Sequence, residues 1–280
     1  MKILRWFVCV VILIVLTVQD VCASNAHAFA DAVTGVQTSN FPEAGNRAKA
    51  DDRLTVDYSH MDQGYVMVKA KKTEKRMQLT VKKGSDSVHY EINGNGEYEV
   101  IPLQFGSGKY QFTLMIEQRK GSNRCCCAGT VMLNCRITND YNCFLYPNQY
   151  VSYDANSPLV IEAQKLCKGL TDPKEIVKAI CGYINKHFEY DWLKASMIKS
   201  NQTKNLLPDI GTTWETKRGI CQDLSAVTCA MLRSQGISAK LAIGSADGNY
   251  HSWVVIIIDG KTKRFDPSFS ARSYKAERYY

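Results

Sequence analysis

The chain has 280 residues, of which 45% are hydrophobic and 22% charged, and a formal net charge of +8. Those values are ordinary for globular protein, and the length accommodates two modest domains after removal of a leader. The basic excess suits an anionic cell wall or membrane face, but no Arg/Lys block with interleaved aromatics is present, so nucleic-acid binding is set aside.

The chain opens with the pattern of an export signal over residues 1–23. Lys2 and Arg5 supply positive charge, Trp6 to Val18 is an apolar core, and Val21-Cys22-Ala23 is a small-residue cleavage site before Ser24. The apolar run is short for a membrane span, and Gln19-Asp20-Val21 is a poor lipobox before Cys22. The competing reading is an uncleaved N-terminal anchor. In both cases the globular part is expected to be secreted or at the cell surface, with a membrane as partner only through that leader. Residues 24–51 are rich in Ala, Asn, Ser and Gly without a sustained period and are expected to be a linker.

Between 52 and 140 the hydrophobic period is two. Leu54, Val56 and Tyr58 alternate, as do Met77, Leu79 and Val81, then Val88, Tyr90 and Ile92. Asn93-Gly94-Asn95-Gly96 is a turn signal, and further alternation runs through Tyr110 to Ile116 and Val131 to Ile137. Short strands at this spacing predict an all-β, immunoglobulin-like sandwich. His60 and His89 are isolated and read as surface or turn residues. Cys125-Cys126-Cys127 follows Gly121-Ser122-Asn123, where two strands should turn. Neighbouring residues on a strand face opposite ways, so the three cannot serve one site. With no second cluster at ligand spacing, no metal is expected. Setting aside Cys9 and Cys22 of the leader and Cys221, eight of the 11 cysteines remain. That even number permits disulfides, and one or two are expected around Cys125, Cys126, Cys127, Cys135 and Cys143. Cys167, Cys181 and Cys229 fall on apolar helix faces and read as buried thiols.

Residues 141–156 form an aromatic, polar connector, and residues 157–280 a second domain. Ser157-Pro158 predicts an N-cap with proline at N1, opening a helix to Gly169. Asp172-Pro173-Lys174-Glu175 resembles a capping box ahead of a helix with Ile176, Val177, Ile180, Tyr183, Ile184 and Phe188 on one face. Residues 194–218 are polar, with Pro208 and Gly211, and are expected to be a long connection framing a groove.

The most informative stretch is Gly219-Ile220-Cys221-Gln222-Asp223-Leu224. Cys221 follows a glycine and opens a run of helical period through Leu224, Val227, Thr228, Met231 and Leu232, with Gly236 as a stop. A helix N-terminus favours a thiolate. Ala239 to Ile243 then reads as a strand, Gly244 to Asn249 as a loop, and Tyr250 to Ile258 as a central strand carrying His251. Asp259-Gly260 is a hairpin turn before Arg264 to Pro267. If the turn has just those two residues, Asp266 falls opposite Trp253 and one diagonal step from His251, on the same face. Cysteine, histidine and aspartate then stand as nucleophile, base and orienter.

These segments, with "RGICQDLSAVTCAMLRSQGISAKLAIG" and "YHSWVVIIIDGKTKRFDPSF", resemble the core of the transglutaminase-like superfamily, the papain-like branch of cysteine enzymes. The likeness covers roughly residues 155–270 and rests on Gly-x-Cys-x-Asp, His-x-Trp and Asp-Pro in order. It implies an α+β, papain-like domain with Cys221 as nucleophile, His251 as base and Asp266 as its orienter. It also implies acyl transfer through a thioester on a protein or peptide substrate. An amine acceptor gives transamidation, while water gives deamidation or proteolysis. Oxyanion candidates are the main-chain N–H of Cys221 and the side chains of Gln222 and Trp214, although Trp214 also reads as a core residue of a short helix. Asp223 reads as a structural helix-start residue. No cofactor is required for this chemistry. Animal members use calcium, but no EF-hand-like loop is present and no calcium requirement is expected. The alternative is a non-catalytic surface binding module.

Overall fold

The structure, a computed structural model, describes residues 41–122, 124–200, 207–269 and 271–280. The export signal and most of the expected linker lie outside the described residues. The N-terminal half contains strands β1 (Ala48–Asp51), β2 (Leu54–Asp57), β3 (Tyr65–Ala70), β4 (Met77–Lys83), β5 (Asp86–Ile92), β6 (Glu99–Pro102), β7 (Gly108–Glu117) and β8 (Cys125–Cys135). They form two four-stranded antiparallel sheets, ordered β1-β2-β3-β6 and β5-β4-β7-β8. The alternation seen in the sequence is the burial pattern: Met77, Leu79 and Val81 point into the core, as do Val88, Tyr90 and Ile92, and Tyr110, Phe112 and Leu114. Leu54, Val56, Val66 and Val68 join the same core from the other sheet. The sheets meet at β8, where Arg53 N donates to Ala128 O at 3.0 Å and Thr130 N to Asp51 Oδ2 at 2.8 Å. β3 is covered on both faces, because Tyr65 and Met67 pack with Tyr146 of the connector.

β1 lies inside the stretch expected to be a linker. Its Ala-Lys-Ala-Asp sequence is wholly exposed, so it carries no alternation to read and is held by pairing with β2. The disulfide expectation is also corrected. All nine cysteines among the described residues are free thiols, and Cys125, Cys126 and Cys127 form the exposed start of β8, a strand at the edge of its sheet. Cysteine parity says nothing about whether side chains converge, and here the remaining candidates Cys135 and Cys143 are buried elsewhere.

The second half contains α1 (Pro158–Cys167), α2 (Pro173–His187), β9 (Glu189–Tyr190), α3 (Trp192–Lys199), α4 (Ile210–Thr216), β10 (Arg218–Gly219), α5 (Cys221–Ser234), β11 (Ala239–Ala246), β12 (Asn249–Ile258), β13 (Lys261–Phe265) and β14 (Tyr274–Tyr279). The four long strands form an antiparallel sheet ordered β13-β12-β11-β14, and β9 and β10 make a short parallel pair. α5 packs between this sheet and helices α1, α2 and α4, and every one of its residues is buried. Most side-chain polar groups of so enclosed a helix find partners within the protein, Ser225 Oγ being without one among the described residues. Thr228 Oγ1 donates to Leu224 O at 2.8 Å, and Ser234 Oγ to Met231 O at 2.8 Å. Arg233 sends Nε to Ala239 O, one terminal nitrogen to Tyr146 O and the other to Tyr280 O, at 2.8, 2.8 and 2.7 Å. Tyr280 stacks on Tyr150 with ring centroids 3.6 Å apart and meets Tyr90 of β5 edge-on, so one aromatic cluster joins the two halves.

Several local expectations change. α1 ends at Cys167, two residues before Gly169, and the Ser157 hydroxyl turns back to Asp154 instead of capping the helix. Asp172 does cap α2, accepting from Lys174 N. The polar stretch 194–218 contains most of α3 and all of α4. Gly244 to Asn249 is not a loop: β11 and β12 continue through it and turn at Asp247-Gly248, both with positive φ. Tyr274–Tyr279 form β14 on the edge beyond β11. Gly244 permits this, because a Cβ there would fall 2.1 Å from Lys275 O. No helix among the described residues is long and apolar enough to cross a membrane.

Candidate active site

The site begins with the way α5 starts. A Cβ on Gly219 would lie 2.7 Å from Asp223 Cβ and 3.0 Å from Thr213 Cγ2, so only glycine lets the chain pass this close. Asp223 uses that proximity. Its Oδ2 accepts from Ile220 N at 3.0 Å and pairs with Lys194 Nζ at 2.6 Å, while Oδ1 accepts from Asp209 N at 3.1 Å. The spacing Gly-x-Cys-x-Asp is therefore mechanical: the aspartate fixes the helix start, and Cys221 is its first residue. Main-chain N–H groups in a first helical turn have no intrahelical acceptor.

β12 delivers His251, opposite Gly244 of β11. Asp259 and Gly260 have φ of 52° and 69°, the geometry of a two-residue hairpin. The ladder from Ile258↔Lys261 to Val254↔Phe265 confirms the register, and Asp266 follows directly. His251 Nε2 lies 2.7 Å from Asp266 Oδ2, with both side chains almost fully buried. Cys221 is the buried first residue of α5, and its interaction with the ring favours the charged imidazole. His251 and Asp266, fifteen residues apart along the chain, thus meet as the hairpin parity predicts.

Asp266 is held from five directions. Oδ1 accepts from Ser268 N, Ser268 Oγ and Phe269 N at 3.0, 2.8 and 3.2 Å, and Oδ2 accepts from Tyr274 Oη at 2.8 Å as well as facing His251. Burial would raise its pKa, but the hydrogen bonds from His251 and Ser268 and the imidazolium charge overcome that and hold it at about 2. Burial likewise opposes charge on His251. The bond to Asp266 and the interaction with Cys221 reverse the balance and lift it to about 9. Phe269 covers the imidazole, with ring centroids 4.2 Å apart.

The pair therefore stabilises the fold over a defined pH window. The raised His251 contributes fully below its unfolded value near 6.5, and that contribution is lost as pH climbs through about 9. The depressed Asp266 contributes above about 3.9 and loses its share as pH falls toward 2. Asp266→Asn is expected to lower the melting temperature most between about pH 4 and 6.5 and progressively less toward pH 9. Melting curves across that range check this, and a deficit independent of pH would contradict it.

Of the side-chain oxyanion candidates, Gln222 is buried beside Cys221, and its Oε1 accepts from Tyr250 Oη at 3.2 Å. Trp214 is engaged elsewhere. Its ring packs on Tyr183 and Phe188, with Lys217 Nζ 3.2 Å from its centroid. The sequence reading left Tyr190 without a role, yet β9 pairs it with Gly219, two residues before Cys221. Burial, followed by the charges of Cys221 and Asp223, raises its hydroxyl to about 12. Tyr274 was missed too. Its signal is slight, a tyrosine in a polar tail, because its contact with Asp266 depends on how β14 returns along β11. Among the described residues no group of three or more His, Cys, Asp or Glu side chains converges as a metal site would require.

A family profile described as the transglutaminase-like superfamily matches residues 162–267, a span that includes Cys221, His251 and Asp266. This region is a transglutaminase-like domain. The superfamily includes cysteine proteases and acyltransferases. No curated protein matches the chain. Among solved structures, a TGase is 20% identical with a TM-score of 0.33, the likeness covering 43% of this chain and 32% of that one. The periplasmic domain of TgpA from Pseudomonas aeruginosa is 10% identical with a TM-score of 0.35, covering 81% and 94%. Red sea bream transglutaminase is 13% identical with a TM-score of 0.25, covering 72% and 47%. The chain thus spans about a third of the TGase's length. In the transglutaminase-like domain, α5 carries Cys221, β12 carries His251, and Asp266 follows β13.

Proposed function

We propose that the protein is a cysteine acyl-transfer enzyme acting on carboxamide or peptide bonds of proteins or peptides. The observation that carries this reading is the buried His251 imidazole anchored by Asp266 at 2.7 Å, in a domain where Cys221 opens a buried helix. In this reading the Cys221 thiolate attacks the carbonyl carbon. The oxyanion is met by main-chain N–H groups at the start of α5, Cys221 N–H first among them. The His251 imidazolium gives its proton to the departing amine, leaving a thioester. The now neutral imidazole then takes a proton from the incoming amine or water, and acyl transfer to that acceptor frees the thiol. Asp266 holds the ring and its charge throughout. No step calls on a cofactor.

The export-signal pattern of residues 1–23 supports action outside the cytosol, on cell-surface or cell-wall proteins. We read the two N-terminal sheets as an immunoglobulin-like sandwich over residues 52–140 that presents the domain beyond it. The protein would be incubated with a glutamine-bearing protein and a tagged primary amine, beside Cys221→Ala, and the products weighed intact. An amine adduct lost in the variant means transamidation. A gain of about one mass unit, or chain cleavage, lost in the variant means hydrolysis of the same acyl-enzyme. If neither arises and an acyl probe fails to label Cys221, the acyl-transfer reading falls and a binding module takes its place.

A further inference from the structure

Asp266 Oδ2 is shared. His251 Nε2 lies 2.7 Å from it and Tyr274 Oη 2.8 Å from it. The direction of the tyrosine bond follows from its other partners. Tyr274 Oη accepts from Ala271 N at 2.9 Å, so its single proton is given outward. Of the two acceptors in reach, Asp266 Oδ2 is the closer and the charged one, while Phe269 O stands at 3.4 Å. The ring is fixed as firmly as the hydroxyl. The Arg264 guanidinium lies 3.8 Å from its centroid, and Trp253 meets it edge-on at 5.0 Å.

The chain leading into Tyr274 is gripped at a distance. Asp247, at the β11–β12 turn, accepts from Arg272 N, Ser273 N and Ser273 Oγ at 3.0, 2.8 and 2.9 Å, and its own N–H donates to Ser273 O at 3.0 Å. Tyr274 follows immediately, as the first residue of β14. A surface turn, a clamped dipeptide and a stacked phenol therefore end on the carboxylate that holds the imidazole.

We propose that Tyr274 is a positioning residue of this site, which holds Asp266 in place and tempers the pull of Asp266 on His251. The inference rests on the acyl-transfer reading for its meaning, but not for its test. The charged and titratable groups around the pair are Cys221 on α5, Tyr190 on β9, Arg264 on β13 and Tyr274 on β14. Removing the Tyr274 hydroxyl takes a donor from Oδ2 and leaves more of the carboxylate charge to His251. The imidazolium should then be harder to deprotonate.

The decisive experiment follows the His251 ring signal in nitrogen NMR against pH, in the full chain and in Tyr274→Phe, with the signal assigned by its loss in His251→Gln. The phenylalanine keeps the stacking on Arg264 and Trp253. The midpoint, about 9 in the wild type, is expected to move up by roughly half a unit in the variant. A merely structural role would loosen the pocket and wet the ring, moving the midpoint down toward its ordinary value. An unchanged or lowered midpoint overturns the proposal. In parallel, Cys221-dependent release of p-nitrophenolate from p-nitrophenyl acetate is expected to slow about fivefold, a modest share of one charged hydrogen bond. If the wild type releases no more p-nitrophenolate than Cys221→Ala, the acyl-transfer reading fails, while the titration still decides the role of Tyr274.

Discussion

Cys221→Ala is expected to remove acyl transfer entirely, with a fall of roughly ten-thousand-fold or more in Cys221-dependent ester turnover, as for loss of a nucleophile in other three-residue sites. The fold should survive. The cysteine is the first residue of α5, the backbone there is held by Asp223 rather than by the thiol, and alanine is a good helix former. Cys221→Ser should be nearly as inactive, because a hydroxyl beside the same imidazole is far less acidic than a thiol. His251→Ala should match Cys221→Ala in effect, and the double variant should be no worse than either, since the groups act as one unit. Ester turnover by the three proteins, with peptide mapping of the acylated thiol, checks this. Acyl groups trapped on Cys125, Cys126 or Cys127 in the wild type, with Cys221 unmodified, would contradict it.

The second large effect concerns stability and lies at the other end of the same helix. Arg233 is buried and spends its guanidinium on three main-chain carbonyls from the connector, the start of β11 and Tyr280. Arg233→Met should leave those carbonyls without that donor in a dry environment, at about 1–3 kcal/mol for each that stays unsatisfied. A loss of roughly 3–5 kcal/mol is expected, a large part of the total stability of a typical protein. Arg233→Lys should recover only part of it, because one ammonium cannot span three acceptors laid out for a planar fork. Denaturant unfolding measures both. A lysine variant as stable as the wild type would mean that charge, and not the fork, is what the site needs.

The site was legible in the sequence where local geometry determines it. Asp259-Gly260 demands a two-residue hairpin, and the period of a strand then carries Asp266 to His251 without any tertiary knowledge. Gly219 and Asp223 mark a helix start for reasons internal to five residues. What escaped notice depends on contacts between distant segments. Tyr274 reaches Asp266 only because β14 crosses back along β11, and β11 tolerates it only through Gly244. β1 has no apolar residue pattern and exists through its partner. The disulfides failed for a related reason: an even number of cysteines constrains a count, while bonding needs side chains that meet. The polar stretch 194–218 hid α3, which has no strong apolar face, while the short helix read around Trp214 is α4. α3 buries none of its residues and is tied down instead by Lys194.

The two-residue pairing of β9 with β10 has a consequence for how such a protein can change over time. Glu189 lies against Arg218 and Tyr190 against Gly219, so both ends of the intervening chain are stapled together beside Cys221. Lys194 and Asp209 add two more ties, both to Asp223. These ties hold the start of α5 from several sides. The position of Cys221 is thus set by Gly219 and Asp223, and a change elsewhere in the chain reaches it only by disturbing those ties.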